Sequence, residues 1–206
     1  MRTQYIRDDV LVRPFEVPAT NFLSSRYYNG RSIVDLLDSA ETAQLWMDVL
    51  RAEVDFPRVP FLPSDSQLAY LRDLRATIES VYCRTVDGSA PAAAADLESL
   101  LSGLAIAPGA VVRDGRLDAV WTTTPEDPFR ELVAQIGLTA LTAVSGHAAT
   151  LLSKCPAPRC VLYFTRHNAR QHWCSDVCGN RARVARASRS AGATSSPTAQ
   201  RRPDSR

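Results

Sequence analysis

The chain has 206 residues and a hydrophobic content of 45%, which is enough to bury a core and excludes a protein that is disordered throughout. Its net charge of +2 conceals a division: residues 1–153 carry 13 basic and 20 acidic side chains (−7), whereas residues 154–206 carry 11 basic and 2 acidic ones (+9). A basic end segment of this kind indicates an acidic partner such as nucleic acid. The first ten residues, "MRTQYIRDDV", lack the apolar stretch of a secretory signal, so we expect a cytoplasmic protein.

The first third of the chain predicts one helix after an irregular start. Residues 1–34 are predicted to be irregular because two prolines interrupt them, with an Asn-Gly turn closing the segment "NFLSSRYYNG". A helix is predicted from about residue 39 to 53, where Asp38 and Glu41 have the spacing of a capping box. Three prolines follow this helix and end it.

The middle of the chain predicts two helices and a hairpin. Ser64 and Gln67 form a second capping-box pattern, and the apolar residues behind them recur at three-and-four spacing, which predicts a clearly amphipathic helix. An alanine-rich segment, Pro91–Leu104, predicts a third helix. The next segment, "AVVRDGRLDAVWTTT", has two β-prone arms around Asp114 and Gly115, a dipeptide that favours a tight hairpin turn.

A long helix is predicted from Thr124 and Pro125 to about Lys154. Within it, residues 132–152 contain no Asp, Glu, Lys or Arg and are long enough to span a bilayer. Polar residues nevertheless recur at helical spacing beside an apolar stripe. We therefore expect an amphipathic core helix and no membrane contact.

The five cysteines divide into one isolated residue, Cys83, and four that follow the pattern C-x4-C-x13-C-x3-C. Two pairs of thiolates from tight local segments suit the tetrahedral coordination of Zn2+. The first pair encloses the loop "CPAPRC", and the second has the four-residue spacing that places both sulfurs on one face of a helix. The predicted ligands are Cys155, Cys160, Cys174 and Cys178.

Two other interpretations of these cysteines stay open: two disulfides, which do not persist in a reducing compartment, and unrelated buried cysteines. His167 and His172 could replace a cysteine, but four thiolates already complete a closed site, so we expect both histidines in a loop or against a phosphate. A closed site predicts one structural Zn2+ ion, because it leaves no open position for catalysis by a bound water. Tyr163, Phe164 and Trp173 are the apolar residues expected to pack beside the ion, and the alternative role of Trp173 is a platform on which a nucleic-acid base stacks.

A basic helix is predicted from about residue 175 to 190, capped by Ser175 or Cys174 and followed by Gly192. An arginine-rich helix fits the major groove of DNA, where arginine binds phosphates or guanine. Its alternative roles are electrostatic support of the zinc site or of the acidic part of the chain, and plain solubility. The predicted nucleic-acid-binding residues are Arg170, Arg181, Arg183, Arg186 and Arg189.

The string "WCSDVCGNR", preceded by "CPAPRC", resembles the CGNR zinc finger, a bacterial module named for the residues found here as Cys178, Gly179, Asn180 and Arg181. In that family the finger follows an N-terminal ABATE domain. The segments "TNFLSSRYYNGRSIVDLLDSAETAQLWM", "LAYLRDLRATIESVY" and "GRLDAVWTTT" are similar to that domain and lie in its order. The resemblance implies a zinc-binding, stress-induced transcription regulator with the same four cysteines as metal ligands.

These patterns together predict an α+β, mainly helical protein in three parts. Residues 1–153 form an ABATE-like helical domain with one β-hairpin. Residues 154–190 form the CGNR zinc finger, a small treble-clef-like zinc ribbon with the basic C-terminal helix. Residues 191–206, rich in Ser, Ala, Pro and Arg without apolar periodicity, form a disordered tail.

The functional hypothesis is a transcription regulator whose finger contacts DNA and whose N-terminal domain senses a small-molecule effector or forms a homodimer. The alternative is a zinc-stabilised protein–protein interaction module without direct DNA binding. An enzyme is not expected. Ser145 and His147 are two apart in a predicted helix and so point to different sides, and no phosphate loop or paired-carboxylate motif accompanies them.

Overall fold

The computed structural model describes residues 3–54, 56, 62–104, 106–123 and 127–193. Within these ranges the chain forms seven helices and eight strands, and the strands pair into four separate two-stranded antiparallel sheets. The predicted α+β, mainly helical class is confirmed. The expectation of one β-hairpin in the N-terminal domain is wrong, because three of the four sheets lie in that part of the chain.

Residues 3–35 contain four short strands and one helix, so the prediction of an irregular start is wrong. Asp8 and Asp9 have positive φ angles of 48° and 59°, which allow a two-residue turn without the glycine that usually marks one in a sequence. The predicted Asn-Gly turn is present, with Gly30 at φ 105° and the Asn29 side chain accepting two backbone N–H bonds. The elements are β1 (Tyr5–Arg7), β2 (Val10–Val12), α1 (Pro18–Leu23), β3 (Arg26–Tyr28) and β4 (Ile33–Asp35).

Helix α2 (Ala40–Glu53) is present where it was predicted, but its cap differs. Ser39 is the N-cap residue, with extended backbone, and it exchanges side-chain and backbone hydrogen bonds with Thr42. The predicted capping pair, Asp38 and Glu41, is therefore displaced by one residue. A Ser/Thr pair satisfies the same two free N–H groups, since both side chains carry an acceptor oxygen.

Helices α3 (Asp65–Val86) and α4 (Ala90–Ser102) confirm the next two predictions. The capping box of Ser64 and Gln67 is present at the start of α3. Helix α4 packs against α3 along its alanine- and leucine-rich face. The apolar stripe of α3 is buried along its length, at Leu68, Leu71, Leu74, Ile78, Val81 and Tyr82.

The predicted hairpin around Asp114 and Gly115 is confirmed as β5 (Ile106–Arg113) paired with β6 (Arg116–Thr123). Both turn residues have positive φ, 50° and 75°, as a tight two-residue turn requires. We call this pair the β5–β6 ribbon. One of its faces presents apolar side chains to solvent, of which Val112, Leu117 and Trp121 are more than half exposed.

The long helix predicted up to residue 154 is interrupted. Helix α5 (Pro128–Val144) ends before Ser145, and a separate short helix, α6 (Gly146–Leu151), follows. Gly146 has a φ of 54°, a left-handed conformation that stops a helix and that the continuous apolar stripe did not reveal. The predicted start at residues 124 and 125 lies outside the described residues. None of the described helices is long and apolar enough to cross a membrane.

The C-terminal part consists of the hairpin β7 (Leu152–Lys154) and β8 (Tyr163–Thr165), followed by helix α7 (Asp176–Ala193). Helix α7 continues through Gly192, so the expectation that this glycine lies beyond the helix is wrong. The predicted disordered tail falls almost wholly on residues 194–206, which lie outside the described residues. One buried apolar cluster extends from α2, α3 and α5 into this hairpin.

Candidate metal centre and arginine helix

The first cysteine pair is positioned by the β7–β8 hairpin. Cys155 directly follows β7, and its backbone N–H donates to the Leu162 carbonyl at 2.9 Å. The loop "CPAPRC" then folds back in a turn, in which the Cys160 N–H donates to the Ala157 carbonyl at 3.0 Å. Arg159 takes a positive φ of 62° in this turn. The Cys155–Leu162 hydrogen bond and this turn together bring both sulfurs to the same end of the hairpin.

The second pair is positioned by the start of α7. Ser175 caps this helix, because its Oγ accepts a hydrogen bond from the Cys178 N–H at 3.3 Å, so the serine alternative for the cap is confirmed. Cys174 immediately precedes this cap, and Cys178 lies in the first turn. Their sulfurs are 3.5 Å apart, so the four-residue spacing does place both on one side.

The four sulfurs form one cluster, in which every pair lies within 4.8 Å. Cys160 Sγ is 3.8 Å from Cys174 Sγ and 3.7 Å from Cys178 Sγ. A tetrahedron with metal–sulfur bonds near 2.3 Å has sulfur–sulfur edges of about 3.8 Å, whereas a disulfide bond is about 2.05 Å long. The cluster therefore fits a four-thiolate metal site and does not fit two disulfides, and all five cysteines are free.

The sulfurs shift one another's ionisation at this spacing. A hydrogen bond with the Cys160 side chain is the largest cause that lowers the pKa of the Cys155 thiol to about 7. The pKa of the Cys174 thiol is raised, first by its interaction with Cys155, then by the other two cysteines and by burial. Four thiolates this close need a cation between them, and a divalent metal ion supplies that charge.

Arg181 contacts the cysteine cluster. Its Nη2 donates to Cys178 Sγ at 3.1 Å, and its Nη1 donates to the Pro158 carbonyl at 3.0 Å. A four-thiolate site with a divalent ion carries a formal charge of −2, so the guanidinium offsets part of that charge. The structure thus separates Arg181 from the other arginines predicted to bind nucleic acid and places it against the thiolate-bearing loop.

Tyr28 connects this cluster to the N-terminal domain. The Arg181 guanidinium lies 4.7 Å from the centroid of the Tyr28 ring, and the Arg159 guanidinium lies 5.8 Å from it. Arg159 Nη1 also donates to the Tyr28 hydroxyl at 3.2 Å. One aromatic ring of β3 is therefore held by two arginines, one from each half of the metal site. Sequence reasoning missed Tyr28, because its partners lie more than 130 residues away.

A buried ion pair joins the β8 strand to the loop between β2 and α1. Arg13 is 1% exposed and donates to Glu16 Oε1 at 3.0 Å and to the Tyr163 carbonyl at 2.7 Å. The Glu16 carboxylate in turn accepts from the N–H and the hydroxyl of Thr165. Each buried charge thus has several hydrogen-bond partners, as a buried ion pair needs. This pair fixes the position of the metal-binding hairpin on the helical domain.

The three predicted neighbours of the metal have different surroundings. Tyr163 and Phe164 are 1% exposed and belong to the main core, where the Tyr163 ring lies edge-on to Tyr82 of α3 at 5.6 Å. Trp173 packs on α7: a Cβ on Gly179 would lie 3.3 Å from the indole Cε3 atom. A side chain at the glycine beside Cys178 would therefore make a tight contact with this ring.

His167 and His172 lie outside the metal-binding group of the described residues and occupy the loop before α7, as expected. His167 packs edge-on against Phe15 at 5.8 Å, and His172 packs against Trp173 at 5.7 Å. Cys83 is also outside the group, and its thiol donates to Asp87 Oδ2 at 3.3 Å.

The other four arginines are exposed and lie on two sides of Trp173. Arg170 and Arg183 border a hollow of about 430 Å³ on one side, and Arg183 donates to the Asn180 side chain. Arg186 and Arg189 border a hollow of about 440 Å³ on the other side. Trp173 borders both hollows, so the predicted arginine stripe is divided by an aromatic ridge.

Two family models match the chain. Residues 16–154 match the ABATE model, described as "Putative stress-induced transcription regulator", and residues 152–190 match the CGNR zinc finger. The chain belongs to the ABATE family. The two matches have the expected order, and they meet at β7, the strand that leads from the ABATE domain into the first cysteine pair. Neither description names an enzyme. No curated protein matches the chain.

Proposed function

We propose that this ABATE protein is a transcription regulator in which one structural Zn2+ ion holds an arginine helix in position for contact with DNA. The observation that carries the proposal is that neighbouring arginines of α7 have different surroundings. Arg181 is directed into the cysteine cluster, whereas Arg183, two residues further along α7, is exposed with Arg186 and Arg189. The same proposal places the protein in the cytoplasm, where it acts on DNA.

The metal has a structural role in this proposal. The ligands would be Cys155, Cys160, Cys174 and Cys178, and four thiolates complete a tetrahedral shell without an open position for substrate. Zn2+ would supply folding free energy to a segment in which β7, β8 and the first turn of α7 have little apolar core of their own. Its binding then fixes where α7 starts.

The DNA contact is assigned to Arg170, Arg183, Arg186 and Arg189. Their exposed guanidiniums can reach phosphates on either side of α7, and a helix of this width enters the major groove. The ABATE domain carries most of the acidic residues and is therefore repelled by the same polymer. Contact is confined to the finger for this reason.

Salt dependence of duplex binding, measured by fluorescence anisotropy, tests this assignment. Four phosphate contacts predict that the logarithm of the binding constant falls with the logarithm of salt concentration with a slope of about −3.6. Changing Arg183 and Arg186 to alanine should make the slope less steep by about 1.8. Arg130→Ala, an exposed arginine of α5, is the matched control and should leave the slope unchanged.

Binding that does not depend on salt, or the absence of duplex binding, contradicts the DNA assignment. A protein partner that stays bound after nuclease treatment and in high salt would instead support the alternative, a zinc-stabilised protein–protein interaction module. The two outcomes separate because phosphate contacts weaken steeply with salt, whereas apolar protein contacts do not.

We assign effector sensing to a cleft of about 1080 Å³ between the β1–β2 and β3–β4 hairpins and the start of α7. Tyr5, Tyr28 and Arg31 border it on the ABATE side, and Cys178 and Arg181 border it on the finger side. A small aromatic or anionic compound bound here would contact the residues that fix α7. In this role its binding changes the affinity for DNA, and by linkage DNA changes the affinity for the compound by the same factor.

Dimerisation is the alternative role of the ABATE domain, and we assign it to the apolar face of the β5–β6 ribbon. Val112 and Leu117 lie opposite each other in register and are 72% and 75% exposed. A second copy of the same face is complementary by two-fold symmetry and would cover both side chains. Light scattering should give a dimer that Leu117→Ser converts to a monomer. A wild-type monomer at micromolar concentration contradicts this role.

A further inference from the structure

The groove beside Trp173 on the side of Arg186 has a composition that simple phosphate binding does not require. It lies between the loop "CPAPRC" and α7 and has a volume of about 440 Å³, within the range of small-molecule sites. Its walls are two prolines, an indole, an imidazole and two guanidiniums, from Pro156, Pro158, Trp173, His172, Arg186 and Arg189.

The flat rings and the arginines that line this groove come from different segments: the rings precede α7 in the chain, and both arginines lie on α7. The prolines and Trp173 have flat apolar rings. Arg186 and Arg189, three residues apart on α7, place two guanidinium groups on the same side of this helix. In a duplex, the faces of the bases are stacked and only their edges are accessible. A flat apolar wall is therefore useful only for a base that has left the stack.

Trp173 is held firmly enough to act as a platform. The indole rests on the backbone of Gly179, where a Cβ would already be within 3.3 Å of it, and the His172 ring supports its edge at 5.7 Å. The ring is nevertheless only partly buried and borders the hollows on both sides. A fixed, partly exposed ring loses little conformational freedom when a base stacks on it.

We propose that this groove binds one unstacked nucleotide of single-stranded DNA, with the base on Trp173 and the prolines and the flanking phosphates on Arg186 and Arg189. The proposal rests on the nucleic-acid function above and adds a preference to it: the finger binds unpaired DNA more tightly than duplex DNA. An acidic peptide would satisfy the two arginines but would leave the flat walls without a matching surface.

The experiment compares a single-stranded 12-mer with the duplex of the same sequence, using the full-length zinc-loaded protein and fluorescence anisotropy. Loss of one stacked base lowers affinity by about 5- to 150-fold, so Trp173→Leu should weaken single-strand binding by that factor and leave duplex binding within twofold. Tyr70→Leu, which removes an exposed aromatic side chain of α3, is the matched control and should change neither affinity.

A second readout does not depend on whether the Trp173→Leu variant folds. In the Trp121→Leu protein, which keeps Trp173 and the buried Trp46, the single strand should quench tryptophan fluorescence, and the duplex should not. Trp173→Phe keeps a ring on Gly179 and should retain part of the preference for the single strand.

The outcomes distinguish this inference from the proposed function. Equal binding of single strand and duplex, no quenching, or equal losses on both DNAs with Trp173→Leu overturns the nucleotide groove while leaving DNA binding intact. Tighter binding of a glutamate-rich peptide than of the single strand also overturns it. Binding of neither DNA contradicts the proposed function itself.

Discussion

Arg181 gives the sharpest test of how the finger is built. The structure gives its guanidinium three partners: the Cys178 sulfur at 3.1 Å, the Pro158 carbonyl at 3.0 Å and the Tyr28 ring at 4.7 Å. Residues that hydrogen-bond to metal ligands typically change metal affinity by about 10- to 100-fold when they are removed. We predict that Arg181→Ala lowers zinc affinity by this factor, which corresponds to about 1.4–2.8 kcal/mol.

Arg181→Lys should lose most of the same affinity. A lysine keeps the charge, but a single ammonium group lacks the planar fork that serves the sulfur and the carbonyl together. The assay is competition for zinc against a chromophoric chelator. Arg183→Ala is the control, because Arg183 lies two residues away, is exposed, and donates to the Asn180 side chain. Zinc affinity of Arg181→Ala within twofold of the wild type, or an equal loss in Arg183→Ala, would refute the role of Arg181.

Three further predictions concern the stability of the fold to unfolding. Arg13→Met should lower the free energy of unfolding by about 3–5 kcal/mol, because it leaves the Glu16 carboxylate buried beside β8 without its partner. In urea titrations, the double variant with Glu16→Gln should recover part of this loss. Strict additivity of the two changes in unfolding free energy would contradict the coupling of these residues. Gly179→Leu should destabilise the protein to urea by about 1–3 kcal/mol by displacing Trp173, whereas helix propensity alone predicts a gain of about 0.8 kcal/mol, so a stabilised variant would exclude the packing role. Burial raises the pKa of Asp35, but hydrogen bonds from Arg75 and a backbone N–H outweigh burial and hold the pKa below its usual value. The ionised carboxylate therefore stabilises the fold above about pH 4. This contribution is lost as the pH falls through the lowered pKa. The stability difference between wild type and Asp35→Asn should accordingly shrink between pH 6 and pH 3 in urea titrations, and a difference independent of pH would contradict the ion pair.

The metal site was predictable because its information is local. The four clustered cysteines lie within 24 residues, and each pair is fixed by a short loop or by one turn of helix. A four-residue spacing on a helix determines the side on which two sulfurs lie, whatever the rest of the chain does. The hairpin at Asp114 and Gly115 was predictable for the same reason, since the dipeptide itself determines the turn.

The direction of Arg181 was not predictable in this way. Helical spacing places Arg183, Arg186 and Arg189 on one face and Arg181 three residues after Cys178, but it does not decide whether Arg181 reaches a phosphate or the thiolate-bearing loop. One of its partners is Tyr28, which lies in a three-residue strand near the other end of the chain and reaches the finger only through tertiary packing. The buried pair of Arg13 and Glu16 escaped sequence reasoning for the same reason.

Two secondary-structure predictions are wrong because of the backbone conformation of one or two residues. The β1–β2 turn uses Asp8 and Asp9 at positive φ, a conformation that few residues other than glycine adopt. The long helix was extended past Ser145 because the apolar stripe continues on both sides of it. The left-handed Gly146 nevertheless divides it into α5 and α6, and the last residues of the predicted helix pair as β7 instead.

The dependence of DNA binding on the metal tests the central claim most directly. Binding of a fluorescent DNA should be measured for the zinc-loaded protein, after removal of the metal by a chelator, and after zinc is restored, with Cys174→Ser in parallel. We predict one zinc per chain, loss of binding on chelation, recovery on restoration, and no recovery in Cys174→Ser. Equal DNA affinity with and without zinc would contradict the claim that the four-cysteine site holds α7 in position for DNA.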